Sequence, residues 1–332
     1  MEQGVIPLID LTDALDANSS NIQNVVDKIR LAATTSGFFY IQNHGISDEL
    51  IKRQFDLTKR LFELPEQTKR QYDQAKNPSH RGFEQIAAQK LDTSAKPDLK
   101  EGFYCGLNYA ADDPYVLAGY QNYGLNQWPS KELPETEAYC QEYIAAMNQL
   151  CERIMQLLAL SLGLDEHYFD ASLVNPMVTL RLLKYPPHPE NADPDTFGAG
   201  AHTDWGSITI LAQDDCGGLE VCMPDGTWVE APPIANTFVV NLGDLIPRWT
   251  NGLYKSNPHR VRNRYSQGKP RYSIPYFYGP TYFTHITALP GTLKADEEYA
   301  YTPCTAGEHM EEMYFKSFEL HLNNTAQLLV TE

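Results

Sequence analysis

The chain has 332 residues, with 26 Lys and Arg against 43 Asp and Glu, for a net charge of −17. Such an excess of acid repels phosphate backbones and anionic membrane surfaces, so nucleic acid and membranes are not expected as partners unless basic side chains gather locally. A hydrophobic share of 42% and an aromatic share of 11% supply a large core, which excludes a disordered chain.

No apolar run is long enough to span a bilayer, and Met1 to Asp10 lacks the basic and apolar regions of a signal peptide. A cytoplasmic location is therefore expected. The six cysteines, Cys105, Cys140, Cys151, Cys216, Cys222 and Cys304, form no Cys-X-X-Cys pair. In a reducing compartment they are expected to be free thiols, with Cys140 and Cys151 packed as small core side chains.

Ser19 and Ser20 are placed to cap a first helix, in which Val25, Ile29, Ala32 and Ala33 recur at helical spacing. Gly37 ends it, and Phe38-Phe39-Tyr40-Ile41 reads as a short buried strand closed by Asn43-His44-Gly45. Ser47 starts a second helix with Ile51, Phe55, Thr58 and Phe62 on one face, and Pro65 opens a short third one. Residues 75–130 look irregular, with Tyr115, Tyr120 and Tyr123 packing a long loop. After Pro134 the spacing predicts a long scaffold helix, Cys140 through Ser161, stopped at Gly163.

From Met177 to Tyr185 the period is two. Val178, Leu180 and Leu182 share one face, while Thr179, Arg181, Leu183 and Tyr185 share the other. Further strands read as 207–212, 218–223, 227–231, 237–242, 258–262 and 271–278, with Pro224-Asp225-Gly226 as a turn. Many short strands without helical crossovers indicate an antiparallel sandwich or barrel. A final amphipathic helix is expected near Ala306 to Leu320. The chain reads as one compact unit, a 1–130 region packing on a 131–332 core.

The chemistry concentrates in Ala201-His202-Thr203-Asp204-Trp205-Gly206. In an extended segment residues two apart point the same way, so His202 and Asp204 can present an imidazole and a carboxylate to one point. His259, in Asn257-Pro258-His259-Arg260-Val261, is the candidate third ligand. Two histidines and one carboxylate on a single face leave coordination positions open, as in non-haem Fe(II) oxygenases. Taken alone, a His-X-Asp followed by a later His is also a pattern that structural histidines produce. Arg271-Tyr272-Ser273 adds a guanidinium and a hydroxyl on one strand face, a set suited to a carboxylate. If the strands at 202–212, 258–262 and 271–278 share a sheet, this clamp lies beside the metal.

Together these segments resemble the isopenicillin N synthase-like family of Fe(II)- and 2-oxoglutarate-dependent oxygenases. The resemblance runs through Ile6-Pro7-Leu8-Ile9-Asp10, Ser36 to Gly45, Asp98 to Phe103, Leu180 to Pro187, the His-X-Asp and the Arg-X-Ser. It implies a mixed α and β protein, mainly β in its core, built as a double-stranded β-helix (jelly roll) flanked by helices. It implies Fe(II) on His202, Asp204 and His259, with the distal carboxylate of 2-oxoglutarate on Arg271, Ser273 and the Tyr185 hydroxyl. Leu183 stands where many plant members have Asn, which removes one polar contact. Arg181 either reaches the other end of the cosubstrate or pairs with an internal carboxylate.

The expected reaction is oxidation of a C–H bond of a small molecule with O2, usually hydroxylation, releasing succinate and CO2. The alternatives are a 2-oxoglutarate-independent oxidase or cyclase of the same family, and a non-catalytic jelly-roll binding module. Trp205, Phe103 and Tyr104 are candidates to line the substrate pocket, with Arg81, Glu84 and Glu101 for polar recognition. Asn241 and Asp244 resemble a family turn and are expected to play a structural, hydrogen-bonding role.

Overall fold

The computed structural model describes residues 6–16, 19–92, 95–120, 122–188, 193, 196–263, 267–294 and 296–316. The amino-terminal elements are β1 (Leu8–Asp10), α1 (Thr12–Leu15), α2 (Ile22–Thr35), β2 (Phe38–Gln42), α3 (Asp48–Glu63) and α4 (Glu66–Lys69). There follow β3 (Gly82–Glu84), β4 (Glu101–Cys105), α5 (Pro114–Ala118), α6 (Thr136–Ser161) and β5 (Met177–Tyr185). Next come β6 (Ala199–His202), β7 (Ile208–Gln213), β8 (Leu219–Cys222), β9 (Trp228–Glu230), β10 (Thr237–Leu242) and α7 (Leu245–Trp249). The last are β11 (His259–Val261), β12 (Arg271–Gly279), β13 (His285–Ile286), β14 (Cys304–Thr305) and α8, helical over the described residues 306–316.

A large sheet runs β1-β2-β10-β7-β12-β5-β4-β3, and a second runs β6-β11-β8-β9. Among these described strands only β1 and β2 pair in parallel; those that build the site are antiparallel. Two mostly antiparallel sheets with helices outside fit the sandwich or barrel that the strand pattern indicated, and the jelly roll that the family resemblance implied. Alternation decides which face does what. On β5 and β12, Leu180, Leu182, Ile274, Tyr276 and Tyr278 enter the main core. Their neighbours Arg181, Leu183, Tyr185, Arg271, Ser273 and Phe277 turn to the inner cavity instead.

The core side of the large sheet is covered by helices. α6 packs against α2, α3 and β12, burying Cys140, Tyr143, Met147, Ile154 and Leu158. Each large apolar side chain among them stabilises the fold by about 1.5–3 kcal/mol through loss of apolar surface to water. Ser47 caps α3 by accepting from the Leu50 amide at 3.2 Å. Gly37 is required by its surroundings: its φ is +72°, and a Cβ there would lie 2.1 Å from the Lys255 carbonyl oxygen.

Three local expectations are corrected. α2 starts at Ile22 after Asn21, and the Ser19 hydroxyl accepts from the Asn21 amide instead of capping the helix. Residues 75–130 contain β3 and β4, which extend the sheet beyond β5. Both strands are buried at every position, so no period of two marks them. β6, a short run of Ala-Gly-Ala-His, also escaped notice because glycine and alanine carry little strand signal. Residues 317–320 of the final helix expectation lie outside the described residues. All six cysteines are free. Among the described residues no helix is long and apolar enough to cross a membrane.

Candidate active site

β6 and β11 pair antiparallel with His202 directly opposite His259. Their ring centroids are 4.3 Å apart at an interplanar angle of 51°. Asp204 lies two residues past the end of β6, so its placement comes from the loop and not from strand alternation. That loop is pinned by the Asp244 amide donating to the Asp204 carbonyl at 2.8 Å. The Asp204 Oδ1 then stands 3.8 Å from His202 Nε2 and 3.7 Å from His259 Nε2. One donor atom from each of the three lies within 4.8 Å of the others.

The protonation pattern suits a cation. His202 Nδ1 donates to the Gly200 carbonyl at 2.8 Å, which leaves the Nε2 lone pair facing Asp204. Burial, with His259 adding to it, pushes the His202 imidazole down to about 4, so the ring is neutral at pH 7. Burial pushes the Asp204 carboxyl up, but the two imidazoles and the Asn241 and Thr209 donors hold it below its ordinary value. Asp204 Oδ2 accepts from Thr209 Oγ1 at 2.6 Å and from Asn241 Nδ2 at 2.7 Å, which turns Oδ1 toward the histidines. Two imidazoles and one carboxylate on one face are the donor set of non-haem Fe(II).

The Arg271 clamp adjoins this triad, but not by the expected route. β6 and β11 belong to the small sheet, whereas β7 and β12 belong to the large one. The sheets face each other, and one cavity between them is lined by the triad together with Arg271, Ser273 and Tyr185. Arg271 pairs in register with Tyr185, and Ser273 with Leu183. The Arg271 guanidinium is 1% exposed and stacks 4.8 Å over the Tyr185 ring. Its Nε donates to the Gly217 carbonyl at 2.6 Å and its Nη2 to Gln213 Oε1 at 3.0 Å. Its Nη1 is buried with no partner among the described residues. An orphaned charged donor in such a cavity calls for an acceptor from a ligand, and a carboxylate fits it.

Two outer cavities open beside the inner one. The first is lined by His202, Asp204, Trp205, Phe277, Met310 and Tyr314, so that α8 roofs it. The Tyr314 ring meets Trp205 edge to face, centroids 5.1 Å apart. The second is lined by Glu84, Tyr104 and Arg81 among others. Arg181 lines all three cavities.

Of the substrate candidates, Trp205, Tyr104, Arg81 and Glu84 therefore reach a cavity. Arg81 nonetheless acts as a staple, since its guanidinium donates to the Cys105, Asn122 and Val178 carbonyls and to the Thr179 hydroxyl. Phe103 and Glu101 line none of the three. Alternation along β4 turns Phe103 into the main core, and Glu101 is held by Lys69 at 2.5 Å and Lys184 at 2.8 Å. Sequence reasoning missed Thr209, and it noted Asp98 and Lys100 only as part of the 98–103 resemblance, with no role assigned. The Asp98 carboxylate accepts from the Gly200 amide at 2.9 Å and from Lys100 at 2.7 Å, which ties down the strand carrying His202. No local pattern marks such a long-range contact.

Similarity to known proteins covers nearly the whole chain. Residues 174–280 match the 2OG-Fe(II) oxygenase superfamily, and residues 6–131 match the amino-terminal region described as non-haem dioxygenase in morphine synthesis. A 2-oxoglutarate-Fe(II) type oxidoreductase, hxnY of Emericella nidulans, is 37% identical over 317 residues, covering 94% of this chain and 90% of the relative. The chain belongs to the 2OG-Fe(II) oxygenase superfamily. The 2-oxoglutarate-dependent dioxygenase citB of Monascus ruber is 40% identical to this oxygenase over 282 residues, covering 82% and 84% of the two chains. The crystal structure of a full-length Neurospora crassa protein in complex with alpha-KG superposes with a TM-score of 0.83 at 32% identity, covering 94% of this oxygenase and 97% of the Neurospora chain. The oxygenase is an Fe(II)- and 2-oxoglutarate-dependent dioxygenase that acts on a small molecule and uses O2.

Proposed function

We propose that this dioxygenase hydroxylates a C–H bond of a small molecule seated in the cavity under α8, with release of succinate and CO2. In this reading His202, Asp204 and His259 hold Fe(II). Arg271 and Ser273 hold the distal carboxylate of 2-oxoglutarate, with the Tyr185 hydroxyl as a further donor. The observation that carries it is the buried, unpartnered Nη1 of Arg271, in the same cavity as the His-Asp-His set.

Bound Fe(II) supplies activation of O2, coupled to oxidative decarboxylation of the cosubstrate. The chain's own residues do the rest. Thr209 and Asn241 fix the Asp204 carboxylate, the Gly200 carbonyl fixes the His202 tautomer, and the Tyr185 ring stacks on the Arg271 fork and holds its plane. Leu183, Phe38 and Leu211 line the inner cavity with apolar surface, which limits the water around the clamp. Residues 1–130 then pack on the 131–332 core as helices and as four strands that extend its large sheet. The free thiols and the charge of −17 support a cytoplasmic protein that binds neither nucleic acid nor membrane.

Anaerobic addition of 2-oxoglutarate to the Fe(II)-loaded protein is expected to develop a visible charge-transfer band. Absence of the band, with no succinate formed in air, would sink this reading in favour of a 2-oxoglutarate-independent oxidase. Absence of any Fe(II)-dependent O2 uptake would instead point to a binding module.

A further inference from the structure

Arg181 stands on β5 where the three cavities meet. Its guanidinium lies between two rings, 4.5 Å from the centroid of Tyr104 and 4.6 Å from that of Phe277. Two aromatic neighbours hold such a cation without offering its N–H groups an acceptor. No other described residue offers one either: Arg181 forms no hydrogen bond or ion pair among the described residues, and its Nε is buried without a partner.

The surrounding groups are already engaged. Glu84 accepts from the Tyr104 hydroxyl at 2.5 Å and from Gln74 at 3.0 Å. The Asp204 carboxylate accepts from Thr209 and Asn241 and faces the histidines. Arg81, close by, has four protein acceptors and does not compete for an anion. Arg271 already offers the cosubstrate a clamp, which leaves Arg181 as a second, separate fork. The cavity that contains Arg181, His202 and Asp204 is walled by Met177, Trp205, Phe277 and Met310, with Gln89, Asn122, Thr179 and Thr203 as neutral polar neighbours. Beside the histidine and carboxylate of the triad it presents one cation in a largely apolar and aromatic surface.

Building on the function proposed above, we infer that Arg181 anchors the substrate's carboxylate and that the substrate is a small monocarboxylic acid with an apolar body. One guanidinium edge matches one carboxylate bidentately, whereas a phosphate dianion would call for further cations that this cavity lacks among the described residues. The apolar body lies against Phe277 and Trp205 beneath α8.

The test uses the full-length protein loaded with Fe(II) and saturating 2-oxoglutarate under anaerobic conditions. Phenylacetate and cyclohexanecarboxylate are titrated calorimetrically beside their neutral amides. The acids are expected to bind at least about tenfold more tightly than the amides, a factor equal to about 1.4 kcal/mol. Arg181→Gln is expected to abolish that preference while keeping the 2-oxoglutarate charge-transfer band, and Arg181→Lys to retain part of it. If the Gln variant does not fold, the Lys variant carries the test through its weakened preference. Equal binding of acids and amides, binding of neither, or an undiminished preference in the variants overturns the inference. Loss of the 2-oxoglutarate band in the variants also overturns it, because Arg181 then serves the cosubstrate. Absence of the band in the unaltered protein is a different failure, that of the function proposed above.

Discussion

His202 and His259 face each other across the β6–β11 pair, ring centroids 4.3 Å apart, and Asp204 closes the set from the loop beyond β6. Replacing either histidine or Asp204 with Ala removes one of three donors. Iron-dependent succinate formation is expected to fall to background, with far-ultraviolet circular dichroism unchanged. Retained turnover would show that the ligand assignment is wrong.

Arg271→Ala takes away the buried fork while leaving the triad in place. A hydrogen bond to a charged group contributes about 1.5–3 kcal/mol, so the 2-oxoglutarate concentration needed for half-saturation should rise at least about tenfold. Metal content should not change. An unaltered requirement would move the cosubstrate site elsewhere.

Asn241→Ala frees one side of the Asp204 carboxylate, which then rests on Thr209 alone. Removing such a supporting donor typically weakens a metal site by about 10–100-fold. Titration with Mn(II) as a redox-silent stand-in measures this directly. Equal affinity would assign Asn241 to the fold only.

Asp98→Asn leaves the Lys100 ammonium buried beside a neutral partner. Breaking a buried pair costs about 3–5 kcal/mol, readable as a lower urea midpoint. The pH dependence follows from the raised Lys100 pKa: burial pulls it down, but Asp98 and Glu84 outweigh that. A raised value means that the pair's contribution is full below the unfolded value of 10.5 and fades as pH climbs through the folded one. On the alkaline side, the gap in stability between the unaltered protein and Asp98→Asn should therefore narrow as pH climbs through the raised Lys100 value. A gap that is constant there, or absent at pH 7, would refute the role given to the pair.

Much of the site was legible before any coordinates. The alternation of Thr179, Arg181, Leu183 and Tyr185 against Val178, Leu180 and Leu182 carried over residue by residue, because period two is a local property of extended backbone. The His-X-Asp, the later His and the Arg-X-Ser were each visible as residue types at short spacing. Substrate candidates fared less well for a physical reason. A charged side chain such as Arg81 or Glu101 looks available until its partners are known, and those partners, the Val178 carbonyl and Lys184, arrive from distant strands.

The sequence by itself determined the donor types, the strand faces and the helix that backs the sheet, since these depend on neighbours along the chain. Only the tertiary structure decided that His202 meets His259 across a small sheet while Arg271 reaches them from the large one. It alone also left Arg181 without an acceptor among the described residues. Those relations depend on how the two sheets close over one cavity, and no local period encodes that closure.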